Sequence, residues 1–406
     1  MKKIIVNLLL IIGLQFNLIA QEQLEYYVDI ALNSHPELKS NQLKTERLEE
    51  QKKEQLALKN TQVSFGYFAQ SPETRLGPQQ LKLGVKQALP WFGTQKRKAD
   101  LANANVNLSK VEQNIKRKEI RLEVSLLYTE IIALNKTRLQ LNEELDYLNQ
   151  SLKLIERNLE TGLNSALDLI KKQISKQDLE QKIEINTLEF QLAKRQFNLL
   201  LSPDKSTNLS DSEFETFDFQ NFGLNIKKLN QNSDIQLIEK QIEKVNELEK
   251  LNQKSKFAQF TLGLDYVLVN QRPDQIPQNG RDILMPNIGF SVPILNKSYN
   301  SKSKQNELAI EEFEFQKQTK LLKLETALNQ TVTKREKALK TIETLDKHLE
   351  KSNQIDQLLK QDYETNLIDF QTLLDWKIQK SKWKLERIEA QKIVFEQTYI
   401  INYLQH

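Results

Sequence analysis

The sequence contains no cysteine, which excludes disulfides, thiolate nucleophiles, Cys-ligated zinc or iron–sulfur sites, and an N-terminal lipid-bearing cysteine. Its three histidines, His35, His348 and His406, are too far apart to suggest a His-rich metal site. Glycine (10) and proline (9) are scarce in 406 residues, against usual shares of roughly 7% and 5%. So few turn formers argue against a sandwich or a doubly wound sheet and for long helices. Neither G-x-G-x-x-G nor G-x-x-x-x-G-K-[ST] occurs, so nucleotide chemistry has no visible seat. An excess of one charge is also missing. Lys and Arg total 58 and Asp and Glu 54, intermixed along the chain, which is a solvated helical surface and not a nucleic-acid footprint. With no nucleophile–base–orienter triad and no metal or cofactor motif, the chain reads as neither an enzyme nor a cofactor binder.

Lys2-Lys3 precede an apolar run from Ile4 to Leu14, and Leu18-Ile19-Ala20 precede Gln21. A basic start, an apolar core and a small residue before a cleavage point predict a signal peptide over 1–20 and a mature chain over 21–406. The alternative is a short membrane anchor, but the run falls short of the ~20 residues that a spanning helix needs. Beyond it no stretch is apolar enough for a transmembrane helix. Any span must be made of β-strands.

The longest pattern follows Gly93-Thr94. Ile120, Val124, Leu127, Ile131, Leu134, Leu141, Leu145, Leu148, Leu152, Ile155 and Leu159 step by 3 and 4, broken only at Arg138. A sustained 3.5-residue repeat is a coiled-coil seam. It predicts one helix from Thr94 to Glu160, about 100 Å long at 1.5 Å per residue. A turn at Thr161–Asn164 and a second helix from Ser165 to Leu201 follow. About two hundred residues later the plan returns, with Glu160-Thr161-Gly162-Leu163 lying over Glu364-Thr365-Asn366-Leu367. Leu324, Leu328, Ala338, Ile342, Leu345, Leu349, Leu359 and Tyr363 repeat the seam in phase, so Asn296–Glu364 and Leu367–Tyr403 form the second helical pair. Glu37-Leu38 likewise match Asp234-Ile235, Gly66 matches Gly263, and Pro90 matches Pro293. The chain reads as a duplication, with repeats over 24–201 and 231–404. Between them, residues 202–230 alternate acids with Phe214, Phe217, Phe219 and Phe222. That segment is either a small insertion packed by its phenylalanines or a partly ordered linker.

Four segments change period from 3.5 to 2, within 62–90 and 258–294. Val63, Phe65 and Tyr67 form one apolar row, and Leu81, Leu83, Val85 and Leu89 the next. Phe260 to Leu268 and Ile288 to Val292 alternate in the same way. At about 8–11 residues each they suit tilted membrane-spanning strands. Gln70–Pro78 and Asn270–Pro286 read as water-exposed hairpin loops, and Trp91 and Phe92 stand where an aromatic interface girdle would. The alternative is a small sheet packed on the helices. Four strands cannot close a membrane barrel, because the smallest need about eight and no open edge survives in lipid. If they span, several chains must share one barrel.

These features together resemble the TolC-like outer-membrane efflux protein family. They are the signal peptide, Ala31-Leu32-Asn33-Ser34-His35-Pro36-Glu37-Leu38, two strand hairpins each feeding a long helix, and the duplicated turns. Gln87-Ala88-Leu89-Pro90-Trp91-Phe92-Gly93 followed by Lys96-Arg97-Lys98-Ala99 is similar to its heavy-metal branch, whose cargo would be metal cations. The resemblance implies a mainly α fold with a small β part. Duplicated long antiparallel coiled-coil helices would form an α-barrel tunnel, and four strands per chain would contribute to a shared twelve-stranded transmembrane β-barrel in a homotrimer. It implies a location in the outer membrane lipid, with the helical tunnel in the periplasm. Its partners would be a periplasmic adaptor and an inner-membrane pump of RND type, and its function passive conduction from pump to exterior.

The resemblance also implies that Gly162 and Asn366 mark the periplasmic hairpin tips, near which polar contacts hold the tunnel shut. Counted from these turns, Asp168 and Tyr363 fall at gate positions and Asp375 at an aperture position. Ile368 stands where a gate Arg is expected and Thr372 where another aperture Asp is. The alternative is that Asp168, Tyr363 and Asp375 are ordinary coiled-coil surface. Gly162 and Asn366 also suit helix C-caps, since both types tolerate the left-handed conformation. A competing function is a periplasmic coiled-coil adaptor or structural protein of an export system. An adaptor should carry one helical hairpin between Gly-rich β-domains, whereas two hairpins are read here.

Overall fold

The computed structural model describes residues 24–160, 165–201, 226–273, 277–294, 296–365 and 367–405. The signal-peptide segment, Gly162, Asn366 and most of the 202–230 insertion, with its phenylalanines, lie outside the described residues. The chain divides into two compact units. One comprises Met1–Ser40, Asn114–Ser233 and Leu321–His406, the other Asn41–Gln113 and Asp234–Lys320.

In chain order the elements are α1 (24–34), α2 (Pro36–Leu56), β1 (Gln62–Tyr67), β2 (Glu73–Thr74), β3 (Gly77–Leu89), α3 (Thr94–Glu160) and α4 (Ala166–Leu201). After a 3-10 turn (Ile226–Gln231) come α5 (Ser233–Ser255), β4 (Gln259–Val269), β5 (Ile283–Ser291), α6 (Ser298–Glu364) and α7 (Phe370–Gln405). The duplication is therefore structural. Helices α3 and α6 each have 67 residues, and α4 and α7 each have 36. Proline and glycine stand where helices change. Pro36 opens α2 at the position where its missing N–H costs nothing. Gly93, with φ of 81°, turns the chain from β3 into α3.

In the first unit the α3 seam is the core. Ile120, Val124, Ile131 and Leu134 are buried with Tyr27 and Val28 of α1 and with Ala193, Phe197 and Leu201 of α4. Tyr27 and Tyr128 both pack on Phe197, with centroids 5.2 and 6.1 Å away. Further along, Leu141, Leu148 and Leu179 are joined by Ile378 and Leu385 of α7, so both repeats meet there. Arg138, the one break in the seam, places its guanidinium 5.2 Å from the Phe190 ring and keeps the apolar stripe covered. Small polar residues bind α3 to α7. Ser151 Oγ donates to Gln371 Oε1 at 2.8 Å, and Gln140 Nε2 to Ser381 Oγ at 3.0 Å.

In the second unit α2 lies against α3, with Thr45 and Ser109 hydroxyls 2.8 Å apart, and α5 against α6, with Asn252 Nδ2 donating to the Tyr299 carbonyl. The sheet has the order β1-β3-β4-β5, antiparallel throughout, with β2 paired to the start of β3. Its register puts Phe65 beside Leu83, Leu83 beside Tyr266, and Tyr266 beside Leu284. That face is apolar and open to the surroundings, with Phe65 68% and Phe290 65% exposed. It is not packed on helices. The opposite face carries Ser64, Lys82, Lys86, Asp265 and Asn287. Lys82 Nζ and Asn287 Nδ2 lie 2.8 and 3.2 Å from the buried Asp265 carboxylate. Glycine makes room for it, because a Cβ on Gly84 would stand 2.6 Å from Asp265 Oδ1. Among the described residues, the outer edges of β1 and β5 pair with nothing.

The strands differ in extent from the sequence expectation. The β5 strand begins at Ile283 and runs through Pro286, so the connector read as Asn270–Pro286 ends earlier; a terminal strand of a sheet tolerates the missing N–H. The Gln70–Pro78 connector contains β2, a two-residue strand folded back on Gly77-Pro78. The β1 strand has six residues, all paired with β3 between Leu81 and Lys86, and β3 shifts register against β4 between Gln79 and Leu81. Gly77 has φ of 126°, and a Cβ there would lie 1.9 Å from the Asn270 carbonyl oxygen. Gly77→Ala should therefore destabilise the folded protein by more than about 2 kcal/mol. Gly66→Ala, whose nearest neighbour would be 3.9 Å away, should stay within about 0.5 kcal/mol. Thermal unfolding of the detergent-solubilised variants measures both.

Candidate functional site

The end of the helices farthest along the chain from the sheet carries the residues that the sequence singled out. At the start of α4, Ser165 and Asp168 form a capping box. The Ser165 N–H and Oγ–H donate to Asp168 Oδ2 at 3.1 and 2.7 Å, and the Asp168 N–H donates back to Ser165 Oγ at 3.2 Å. At the start of α7 the same two positions are Asp369 and Thr372. The Thr372 N–H and hydroxyl both donate to Asp369 Oδ1, at 2.8 and 2.6 Å. Those two bonds hold the Asp369 carboxyl below its ordinary value. Serine and aspartate at one cap have become aspartate and threonine at the other. This exchange explains why Thr372 stands where a carboxylate was expected.

Asp375 lies one turn into α7, exposed, where Lys172 of α4 donates to its Oδ1, as does Gln371 Nε2 at 2.9 Å. Gln371 also accepts from Ser151, so one polar chain links α3, α7 and α4. Tyr363, near the end of α6, is 43% exposed and packs on Phe370, with centroids 5.6 Å apart. Its hydroxyl has no hydrogen bond among the described residues. Ile368 is half-buried in the turn. Asp168, Asp375 and Tyr363 thus share the hairpin end but make no direct contact with one another among the described residues.

Sequence reading missed a charged cluster on α6 and α7. Asp356 of α6 accepts from Trp376 Nε1 at 2.9 Å, Lys377 Nζ at 3.2 Å and Lys380 Nζ at 2.6 Å. Burial alone would push its carboxyl up, but these three donors outweigh it and hold it below the ordinary 3.8. A cleft of about 360 Å³ opens beside it, lined by Leu359, Leu373 and Trp376. The signal was present, because Asp356 occupies the seam position held by Leu152 in the first repeat.

At the helix-proximal end of the sheet Trp91 stacks on Phe257 and Phe260 at 5.4 and 5.2 Å. Phe92 projects from the same cluster and is 79% exposed. Among the described residues no cluster of His, Cys, Asp or Glu could hold a metal ion.

A depressed folded-state pKa stabilises above the unfolded value and is lost as pH falls through the folded one. Asp356 should therefore support the α6–α7 pair in full above about pH 4 and lose that support progressively as pH falls below it toward the folded value. Asp356→Asn should cost about 2 kcal/mol at pH 7 and shrink the difference between melting at pH 7 and pH 3. Melting temperatures of the two proteins at both pH values test this.

Residues 27–200 match the outer membrane efflux protein family. No curated protein sequence matches the chain. Among solved structures, the channel-forming protein CusC aligns with a TM-score of 0.74 at 14% identity, covering 94% of this chain and 92% of its own. The outer membrane protein VceC of Vibrio cholerae gives 0.72 at 14%, covering 95% and 96%. The Campylobacter jejuni outer membrane channel CmeC gives 0.72 at 14%, covering 95% and 85%. Residues 27–200 therefore carry the sequence pattern of the outer membrane efflux protein family, and nearly the whole chain has the fold of these outer membrane channels.

Proposed function

We propose that the protein is the outer-membrane channel of a tripartite efflux system, a passive homotrimeric conduit that receives cargo from an inner-membrane pump through a periplasmic adaptor. One observation carries the reading. A sheet with an apolar outer face, a polar inner face and two unpaired edges continues into two long helical hairpins. In lipid the apolar face meets acyl chains, and the face with Lys82, Lys86 and Asp265 lines water. Three copies of four spanning strands close the edges, and the helices extend the pore into the periplasm. The chain itself performs no chemistry, and its pump, of RND type, sets the cargo. The similarity of Gln87–Gly93 to the heavy-metal branch favours metal cations.

In this reading the hairpin end is the periplasmic mouth, and Asp168, Tyr363 and Asp375 face it. Asp168 is tied to its own helix start by Ser165, whereas Asp375 is exposed and is held by Lys172 and Gln371, so Asp375 is taken as the carboxylate of the ring. Repeated around a narrow opening, it attracts cations and repels anions. The adaptor would grip the same end, where the cleft beside Trp376 offers apolar surface next to charge.

The mature protein should run as a trimer in detergent and conduct in planar bilayers. Asp375→Asn should lower the cation-to-anion permeability ratio about twofold or more. Tyr363→Phe should raise conductance by releasing a hydroxyl bonded to the neighbouring copy. A detergent-free soluble monomer would contradict the channel. Unchanged selectivity and conductance in both variants would return these residues to plain helical surface.

A further inference from the structure

All four junctions between strands and helices lie at one end of the sheet. The β1 strand starts there, β3 ends there, β4 starts there and β5 ends there, with Leu89, Phe260 and Phe290 in register across it. Each junction brings lysine: Lys59 before β1, Lys96 and Lys98 after β3, Lys254 and Lys256 before β4, and Lys297 after β5. None of these six makes an ion pair among the described residues. Elsewhere in the same unit many lysines are matched to acids, as in Lys44 with Glu112, Lys317 with Glu239 and Lys320 with Asp234, while Lys52, Lys86, Lys244 and Lys302 have no ion pair among the described residues. The six junction lysines differ from the other unmatched ones in gathering at one end of the sheet.

Two features make it costly. Helices α3 and α6 both begin here, and neither has an acidic residue in its first turn. A helix start is already partly positive and favours anions. Lys96 and Lys98 add like charge to it, and Lys297 stands just before the other start. No acidic residue in either first turn offsets these charges. The lysines are also interleaved with the aromatic cluster. Lys254 Nζ lies 5.5 Å from the Phe257 ring, which stacks on Trp91, while Phe92 and Ile294 are 79% and 84% exposed. Apolar groups that reach outward beside unmatched ammonium groups suit a boundary between acyl chains and headgroups, with lysine stems lying along the apolar part.

We infer that this end of the sheet is a collar that binds anionic phospholipid, with the lysines on the phosphates and the Trp91 cluster seated against the upper acyl chains. The inference rests on the sheet being membrane-spanning, as proposed above. It goes further in assigning the boundary a preference for lipid charge.

The chain has three tryptophans, so Trp376→Phe with Trp383→Phe leaves Trp91 as the only indole. The full protein would be reconstituted in phosphatidylcholine vesicles that carry either brominated phosphatidylglycerol or the same fraction of brominated phosphatidylcholine. Brominated phosphatidylglycerol should quench Trp91 at least about twofold more strongly at low salt. The ratio should fall to about one in ~1 M salt, where screening is short-ranged. Replacing Lys96, Lys98, Lys254 and Lys256 by Gln should abolish it as well. The salt series uses the native lysines and decides the matter even if the fourfold variant does not fold. Equal quenching by both lipids at low salt would overturn the inference while leaving the membrane-spanning sheet intact. Absence of quenching by either lipid would overturn both.

Discussion

A backbone edge cannot be left unpaired in hydrocarbon, because every N–H and C=O there lacks water to replace a missing partner. Four strands in the order β1-β3-β4-β5 leave two such edges. Their outward face is apolar and exposed from Val63 to Phe290, so water is no better a surrounding for it. Both difficulties end when further copies of the chain complete a barrel in the membrane. On the proposed channel reading, oligomerisation then follows from hydrogen-bond accounting within one chain.

The two repeats share one seam geometry but hold their helices together differently. In the first, the positions of Leu148 and Leu152 are buried aliphatic. Their counterparts are Ser352, fully buried, and Asp356, held by one indole and two lysines. Ile131 is similarly replaced by Arg335, whose Nε donates to Thr398 Oγ1 at 3.0 Å. Burial of leucine is nondirectional and tolerant of small shifts, whereas a charged network is directional and depends on each partner staying in place. Two hairpins of equal length can therefore respond differently to acid, salt and substitution.

The helices were the most legible part of the sequence. A 3.5-residue period sustained over forty residues is a global signal, and Gly93-Thr94 marked the beginning of α3 to the residue. Strand faces were legible too, because alternation separates Phe65 from Ser64 and Leu83 from Lys82 whatever the partner. Strand limits were not. Pro286 looks like a breaker until its strand is known to lie at the end of the sheet, and the shift at Gln79/Leu81 depends on a partner strand nearly two hundred residues away. At the hairpin end, spacing located Asp168, Tyr363 and Asp375 but could not say what each side chain binds. The helix cap at Asp168 reads as Ser-x-x-Asp in the sequence, yet only geometry shows that the carboxylate is spent there. The Asp356 cluster joins residues about twenty apart on two helices, so it was visible only as a polar residue in an apolar seam.

The central claim is that β1 of one chain pairs with β5 of the next. The absence of native cysteine gives a clean background for testing it. A cysteine at Ser64 would be combined in turn with one at Met285, Asn287 or Gly289, and the membranes oxidised. One of these pairs should give a covalent ladder that ends at three chains on a non-reducing gel and collapses to monomer on reduction. If every combination stayed monomeric while the protein remained folded in the membrane, the shared barrel would be contradicted.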